Sequence, residues 1–175
     1  YNGDSNNVHD STDTMPVEPD GGIGDGAEPL DDIDTSAASS TTEDSTIIGT
    51  TVSGADIVAY HYGTGNNEVL FVTGVHGGDA RNTAALGREI SNYFDGPDSV
   101  IPDGVRVTVI PTLNIDGLRN GSRFNANNVD LNRNFGCDWA ATSKWRDQEV
   151  SGGSAPYSEP EAAALRDYIE EINLV

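Results

Sequence analysis

The sequence predicts an α/β layered domain with a largely parallel or mixed sheet, preceded by an acidic linker. Three observations carry this. Short β-branched and apolar runs alternate with two stretches of helical periodicity, the pattern of layered α/β domains. The two most informative polar segments directly follow predicted strands, where open α/β sheets gather their sites. Residues 1–45 hold 12 of the 29 acidic residues of this 175-residue chain, and no Lys or Arg.

That first stretch is rich in Ser, Thr, Asp, Asn and Gly, and Tyr1 is its only aromatic. Such a composition buries too little apolar area to offset the entropy of ordering, so it reads as a disordered, solvated linker or stalk. Residues 46–175 carry 17 acidic and 9 basic residues, a net of −8 within the chain total of −20. About 130 residues suffice to bury a core.

The elements follow in order. Thr46–Val52 (TIIGTTV) is short and β-branched and reads as a strand. Ala55–Tyr62 (ADIVAYHY) alternates loosely and reads as its partner, with Ser53-Gly54 in the turn. Glu68–Val75 (EVLFVTGV) is almost continuously apolar, which predicts a strand buried on both faces. Asn82–Phe94 places Ala84, Ala85, Ile90 and Phe94 on roughly one helical face. Val105–Pro111 (VRVTVIP) is a further strand. Glu159–Ile172 reads as a helix, with Ser158 as N-cap, Glu161 completing a capping box and Pro160 in the first turn.

Charge and composition exclude several functions. A charge this negative excludes a general nucleic-acid binder, because phosphate contacts need a basic face. No run approaches the roughly 18 apolar residues of a membrane span, so no transmembrane segment is expected. No basic stretch leads into an apolar one, so no signal peptide is visible. The chain starts at Tyr1, which suggests a missing upstream segment, and the acidic stalk fits an extracytoplasmic or secreted protein. Cys137 stands alone, which excludes an internal disulfide and a multi-Cys zinc site. One lysine against eight arginines, with an Asp excess, suggests a high-salt proteome, the alternative being a chance bias in a short chain.

Two segments carry chemistry. The first is His76-Gly77-Gly78-Asp79, after the apolar strand. An imidazole and a carboxylate three residues apart on a turn suit one metal ion, and zinc accepts both ligand types. The same residues would also serve a plain strand-to-helix loop with Asp79 at the helix start. The second segment runs Asn114-Ile115-Asp116-Gly117, Arg123-Phe124-Asn125 and Val129-Asp130-Leu131-Asn132-Arg133-Asn134-Phe135.

Together with Tyr157-Ser158-Glu159-Pro160-Glu161, these segments resemble the zinc carboxypeptidases, the M14 metallopeptidases, over about residues 46–175. The family pattern is H-x-x-E, N-P-D-G, R-x-N, then D-L-N-R-N-F and an S-E-P-E helix start. The resemblance implies a three-layer α/β/α fold with a mixed, largely parallel sheet. It implies Zn2+ as cofactor, with His76 and Asp79 as ligands and Asp130 orienting His76. It implies that Arg123 polarises the scissile carbonyl, and that Asn132 and Arg133 grip a substrate's free carboxylate. Guanidinium forks match carboxylates bidentately, which suits that role. Asn114, Asp116 and Gly117 would shape a turn, and Ser158, Glu159 and Glu161 a helix start. Cys137 and Trp139 line the loop after Arg133 and carry no expected chemistry.

Departures from the pattern are informative. Asp79 stands where the family has Glu, one methylene longer, so its loop must come closer to a metal. Ile115 replaces Pro. Asn128 stands where Gly is common, and Asn tolerates a left-handed backbone. The family's third ligand and its general-base Glu have no counterpart before Val175, and His61, in an early strand, matches no ligand position. The chain therefore reads as the C-terminally incomplete, N-terminal part of a catalytic domain, expected to be inactive or nearly so by itself. The implied reaction of the whole protein is hydrolysis of a C-terminal peptide bond by metal-activated water. The alternatives are a zinc deacylase of N-acyl amino acids, like succinylglutamate desuccinylase and aspartoacylase, and a non-catalytic carboxylate-binding module. Each implies a peptide or acyl-amino-acid partner with a free carboxylate.

Overall fold

A computed structural model describes residues 44–174. The expected linker therefore lies outside the described residues, apart from Asp44 and Ser45, which open the first strand. The Asp79 side chain also lies outside them.

The order is β1 (Asp44–Thr50), β2 (Asp56–Tyr62), β3 (Asn67–Val72), α1 (Arg81–Asp95), β4 (Val105–Ile110), α2 (Ile115–Arg119), β5 (Thr142–Trp145), β6 (Gln148–Ser151) and α3 (Pro160–Glu171). Single 3-10 turns cover Gly78–Ala80 and Leu131–Arg133. No helix among the described residues is long and apolar enough to cross a membrane.

Strands β1, β2, β4 and β3 form one sheet in that spatial order. β1–β2 and β2–β4 are antiparallel, and β3–β4 is parallel. The expected mixed α/β sheet is present, and within the described residues its parallel part is the β3–β4 pair. The period of two sorts β2 and β4 between two layers. Ile57, Ala59 and Ile110 pack with Leu113, Leu131 and the α3 residues Ala164, Leu165 and Tyr168. Tyr62, Val107 and Val109 face the other way, toward Ile90 and Phe94 of α1. Hence α1 and α3 cover opposite faces, which gives three layers. Burying each large side chain such as Ile57, Ile110, Leu113 or Leu131 contributes about 1.5–3 kcal/mol.

Two expectations are corrected. β3 is not buried on both faces: Val69 is 42% and Phe71 37% exposed. Among the described residues it lies at the sheet edge, paired only with β4, and its Val69–Phe71 face is only partly covered, by Phe94 of α1. The capping box at α3 also does not form. Glu159 is the N-cap and makes no side-chain cap bond, because Ser158 and Glu161 are used elsewhere. Ser158 Oγ donates to the Glu159 carboxylate at 2.9 Å, and Glu161 accepts from the loops described below.

His61 is a sheet residue, held between two hydroxyls. Its Nε2 lies 3.0 Å from Thr46 Oγ1 and its Nδ1 3.0 Å from Thr108 Oγ1. The Thr108 hydroxyl donates to Glu68 and so accepts from the ring. That direction fixes the neutral ring with its proton on Nδ1. Burial, then the Arg106 charge, pull the His61 pKa below 6.5, against weaker opposite pulls from Asp44 and Glu68. A depressed histidine leaves the unfolded state binding more protons, so stability falls as pH drops through about 6.5. Denaturant titrations at about pH 7.5 and 5.5 are expected to show this loss. His61→Gln removes the titrating group and is expected to flatten the difference.

Candidate active site

Parallel pairing brings the carboxyl ends of β3 and β4 to one end of the sheet, and the loops beyond them stay zipped. Thr73 N donates to Ile110 O at 3.0 Å, Leu113 N to Thr73 O at 3.1 Å, and Asn114 N to Gly74 O at 2.8 Å. Asn114 then caps α2, its side chain accepting from Gly117 N at 2.8 Å. Gly77 presses its backbone onto that helix: a Cβ there would sit 2.2 Å from the Gly117 carbonyl carbon. This close approach fixes the loop that carries His76.

Asp130 is the centre of the site. It is fully buried, at the N-cap of the 3-10 turn Leu131–Arg133. Its Oδ1 lies 2.8 Å from His76 Nε2 and accepts from Asn132 N at 3.1 Å. Its Oδ2 accepts from Arg123 Nε at 3.0 Å. Burial pushes the Asp130 carboxyl up. The His76 hydrogen bond and charge, with the Arg123 guanidinium, pull harder and leave it below the usual carboxylate range. An ionised carboxylate only accepts, so His76 must carry its proton on Nε2. In the neutral ring Nδ1 then presents a lone pair, and it has no hydrogen-bond partner among the described residues. That is the arrangement of a metal-ligating histidine whose other ring nitrogen is held by a carboxylate.

The loop leading to Asp130 is built by buried amides and carboxylates. Asn125 Oδ1 accepts from Asn127 N and Val129 N at 3.1 and 3.0 Å. Its Nδ2 donates to Glu159 and Glu161 at 2.8 and 3.1 Å. Asn128 takes φ 60°, the left-handed conformation expected at this position. Burial raises the Glu161 pKa. Its hydrogen bonds from its own backbone, Asn125 and Val52 lower it less, and the Asp116 charge adds to the rise. Asp116 acts at longer range than a turn residue, accepting from Thr51 Oγ1 and Ser53 N at 3.0 Å each. Asn134 binds the α3 entry: its Oδ1 accepts from Glu159 N at 3.1 Å, and its Nδ2 donates to Gly152 O at 2.8 Å.

The structure therefore joins His76, Asp130 and Arg123. Asn132 is exposed and Arg133 half-buried, on the turn that Asp130 caps. Arg133 Nη1 reaches the Asn132 carbonyl at 3.3 Å. The Asp79 backbone lies in the turn Gly78–Ala80, two residues beyond Gly77. Among the described residues, no three His, Cys, Asp or Glu side chains converge on a metal position. Among the described residues, His76 has the geometry of a zinc ligand. Sequence reasoning missed Trp145, whose ring lies 4.6 Å under the Arg123 guanidinium carbon. A stacking partner 22 positions away leaves no spacing signal. The exposed Cys137 makes no disulfide, and Trp139 Nε1 donates to Gly152 O at 2.9 Å.

Comparison with known proteins gives consistent matches. The family model "Zinc carboxypeptidase" matches residues 32–175. Murein peptide amidase A of Escherichia coli K12 is 32% identical over 113 residues, covering 59% of this chain and 44% of that protein. Bacteriocin BCN5 of Clostridium perfringens is 28% identical over 137 residues, covering 72% of this chain and 15% of that protein. Among solved structures, the murein-tripeptide amidase of Escherichia coli O157 superposes with a TM-score of 0.61 at 26% identity, covering 77% of this chain and 58% of that one. Carboxypeptidase A of Helicoverpa armigera superposes with a TM-score of 0.57 at 25% identity, covering 73% and 37%. The chain thus spans less than two thirds of each of these relatives.

Replacing Asp130 tests the site's construction. Asp130→Ala leaves the Nε2 of His76 and the Nε of Arg123 without their shared acceptor, and is expected to cost about 2–3 kcal/mol in urea denaturation. Asp130→Asn keeps one acceptor but turns an amide N–H2 toward the other donor, so it is expected to recover little of that loss.

Proposed function

Because this chain belongs to the zinc carboxypeptidase family, we propose that the whole protein is a zinc metallocarboxypeptidase, hydrolysing an amide bond beside a substrate's free carboxylate. The observation that carries this reading is the double hold of Asp130, on His76 Nε2 and on Arg123 Nε. It leaves His76 Nδ1 and the Arg123 Nη edge without partners among the described residues.

His76 would hold zinc through Nδ1, with Asp79 as the neighbouring ligand. Zinc, when bound, supplies a Lewis acid and lowers the pKa of a water at neutral pH. Asp130 keeps the His76 tautomer fixed and its basicity high. Arg123 offers two Nη groups to the carbonyl oxygen on which negative charge develops, a preorganised cation that needs no rearrangement during reaction. Arg133, with the Asn132 amide beside it, takes the substrate carboxylate and so sets which bond is presented. A peptide is favoured over an N-acyl amino acid as substrate, because the matched amidase is named for a murein peptide.

Kinetics on the whole protein test this. A peptide with a free C-terminal carboxylate is expected to be turned over far faster than its C-terminal amide, and chelation is expected to abolish both. Arg123→Gln is expected to lower kcat by about 10²–10³. Arg133→Gln is expected to raise KM for the free-carboxylate peptide by about tenfold or more. Equal turnover of the amidated peptide would contradict an exopeptidase. Faster turnover of N-acyl amino acids would point to a deacylase, and zinc-independent binding without turnover to a carboxylate-binding module.

A further inference from the structure

Arg123 has a second anchor that the proposed reaction does not yet use. Trp145 ends β5 at the turn of the β5–β6 hairpin. Its ring lies 4.6 Å from the Arg123 guanidinium carbon, and Phe124 meets it edge-on at 6.5 Å. The Arg146 guanidinium carbon lies at the same 4.6 Å from that ring. Arg146 takes φ 53° in a two-residue turn where Gly or Asn is usual. The hairpin is tied to the site directly, since Asp130 N donates to Ser151 O of β6 at 2.9 Å. That bond joins the strand paired with β5 to the Asp130 backbone.

A guanidinium has two faces and five N–H groups in one plane. A single bond from Nε to Asp130 Oδ2 fixes one point of that plane but leaves it free to turn about the N–H···O line. A ring stacked on the face removes that rotation without occupying any N–H. The Arg123 side chain is 16% exposed, so the stack is largely desolvated, where cation–π contacts are strongest.

We propose that Trp145 is a positioning residue, which sets the plane of Arg123 so that its free Nη edge is preorganised for the carbonyl oxygen. The catalytic part of this inference rests on the proposed role of Arg123. The positioning part does not.

The experiment has two arms. In the first, side-chain NMR of the 175-residue chain identifies the Arg123 δ-methylene signal by its absence in Arg123→Gln. The signal is expected upfield of ordinary arginine positions through the indole ring current, and to return to them in Trp145→Leu. An ordinary position in the unsubstituted chain would overturn the inference, whatever the variants do. In the second, kinetics on the whole protein are expected to show kcat about tenfold lower in Trp145→Leu, with KM nearly unchanged. Trp145→Phe is expected to restore most of the rate, because it keeps an aromatic face. Trp145→Leu in an Arg123→Gln background is expected to cost nothing further. An additive double variant, or a Phe variant no better than Leu, would overturn the inference. A whole protein with no peptidase turnover would sink the functional reading, while the NMR arm would still decide the positioning.

Discussion

One buried carboxylate organises this end of the molecule. Asp130 is fully buried, and taking its charge out of water is costly. Three donors offset that cost: the His76 ring, the Arg123 Nε and the Asn132 amide. Each comes from a different segment, and each is oriented by making the bond. His76, the proposed zinc ligand, and Arg123, the proposed carbonyl-polarising cation, are thus fixed to one carboxylate. Their separation cannot change much without breaking a buried charge-assisted bond.

The loops around that centre use the same physics. Glu159 and Glu161 are buried, and no cation pairs with them among the described residues. Side-chain amides and a hydroxyl donate hydrogen bonds to them instead. Asn125 and Asn127 each donate to Glu159 at 2.8 Å, and Val52 N donates to Glu161 at 3.3 Å. The helix start, the Arg123–Asp130 loop and the β1–β2 turn are joined through these carboxylates. A half-satisfied network of this kind would be worse than an apolar core. That constraint explains why so many Asn, Asp and Glu side chains around Asp130 are buried rather than exposed.

Much of this was legible in the sequence, for identifiable reasons. The alternation of apolar strands with amphipathic helices has periods of two and 3.6, which survive into the sheet, α1 and α3. The Asp130–Phe135 run and the upstream Arg123 were legible as a motif. Three things were not. The openness of β3 was hidden because a strand at a sheet edge can be as apolar as a central one. The β5–β6 hairpin was hidden because its strands have four residues each and its Arg146-Asp147 turn lacks the usual Gly or Asn. The task of Glu161 was hidden because a capping box and a buried tertiary acceptor ask for the same residue three positions after a serine. In that case tertiary packing overrode the local rule.

Asp130 sets the tautomer of His76 through the bond to its Nε2. Long-range 1H–15N NMR of the imidazole nitrogens, at mildly alkaline pH in the metal-free chain, reads this directly. The expected result is a protonated Nε2 and a bare Nδ1 at His76, with the opposite assignment at His61. A His76 ring protonated on Nδ1, or averaging rapidly between the two forms, would contradict it.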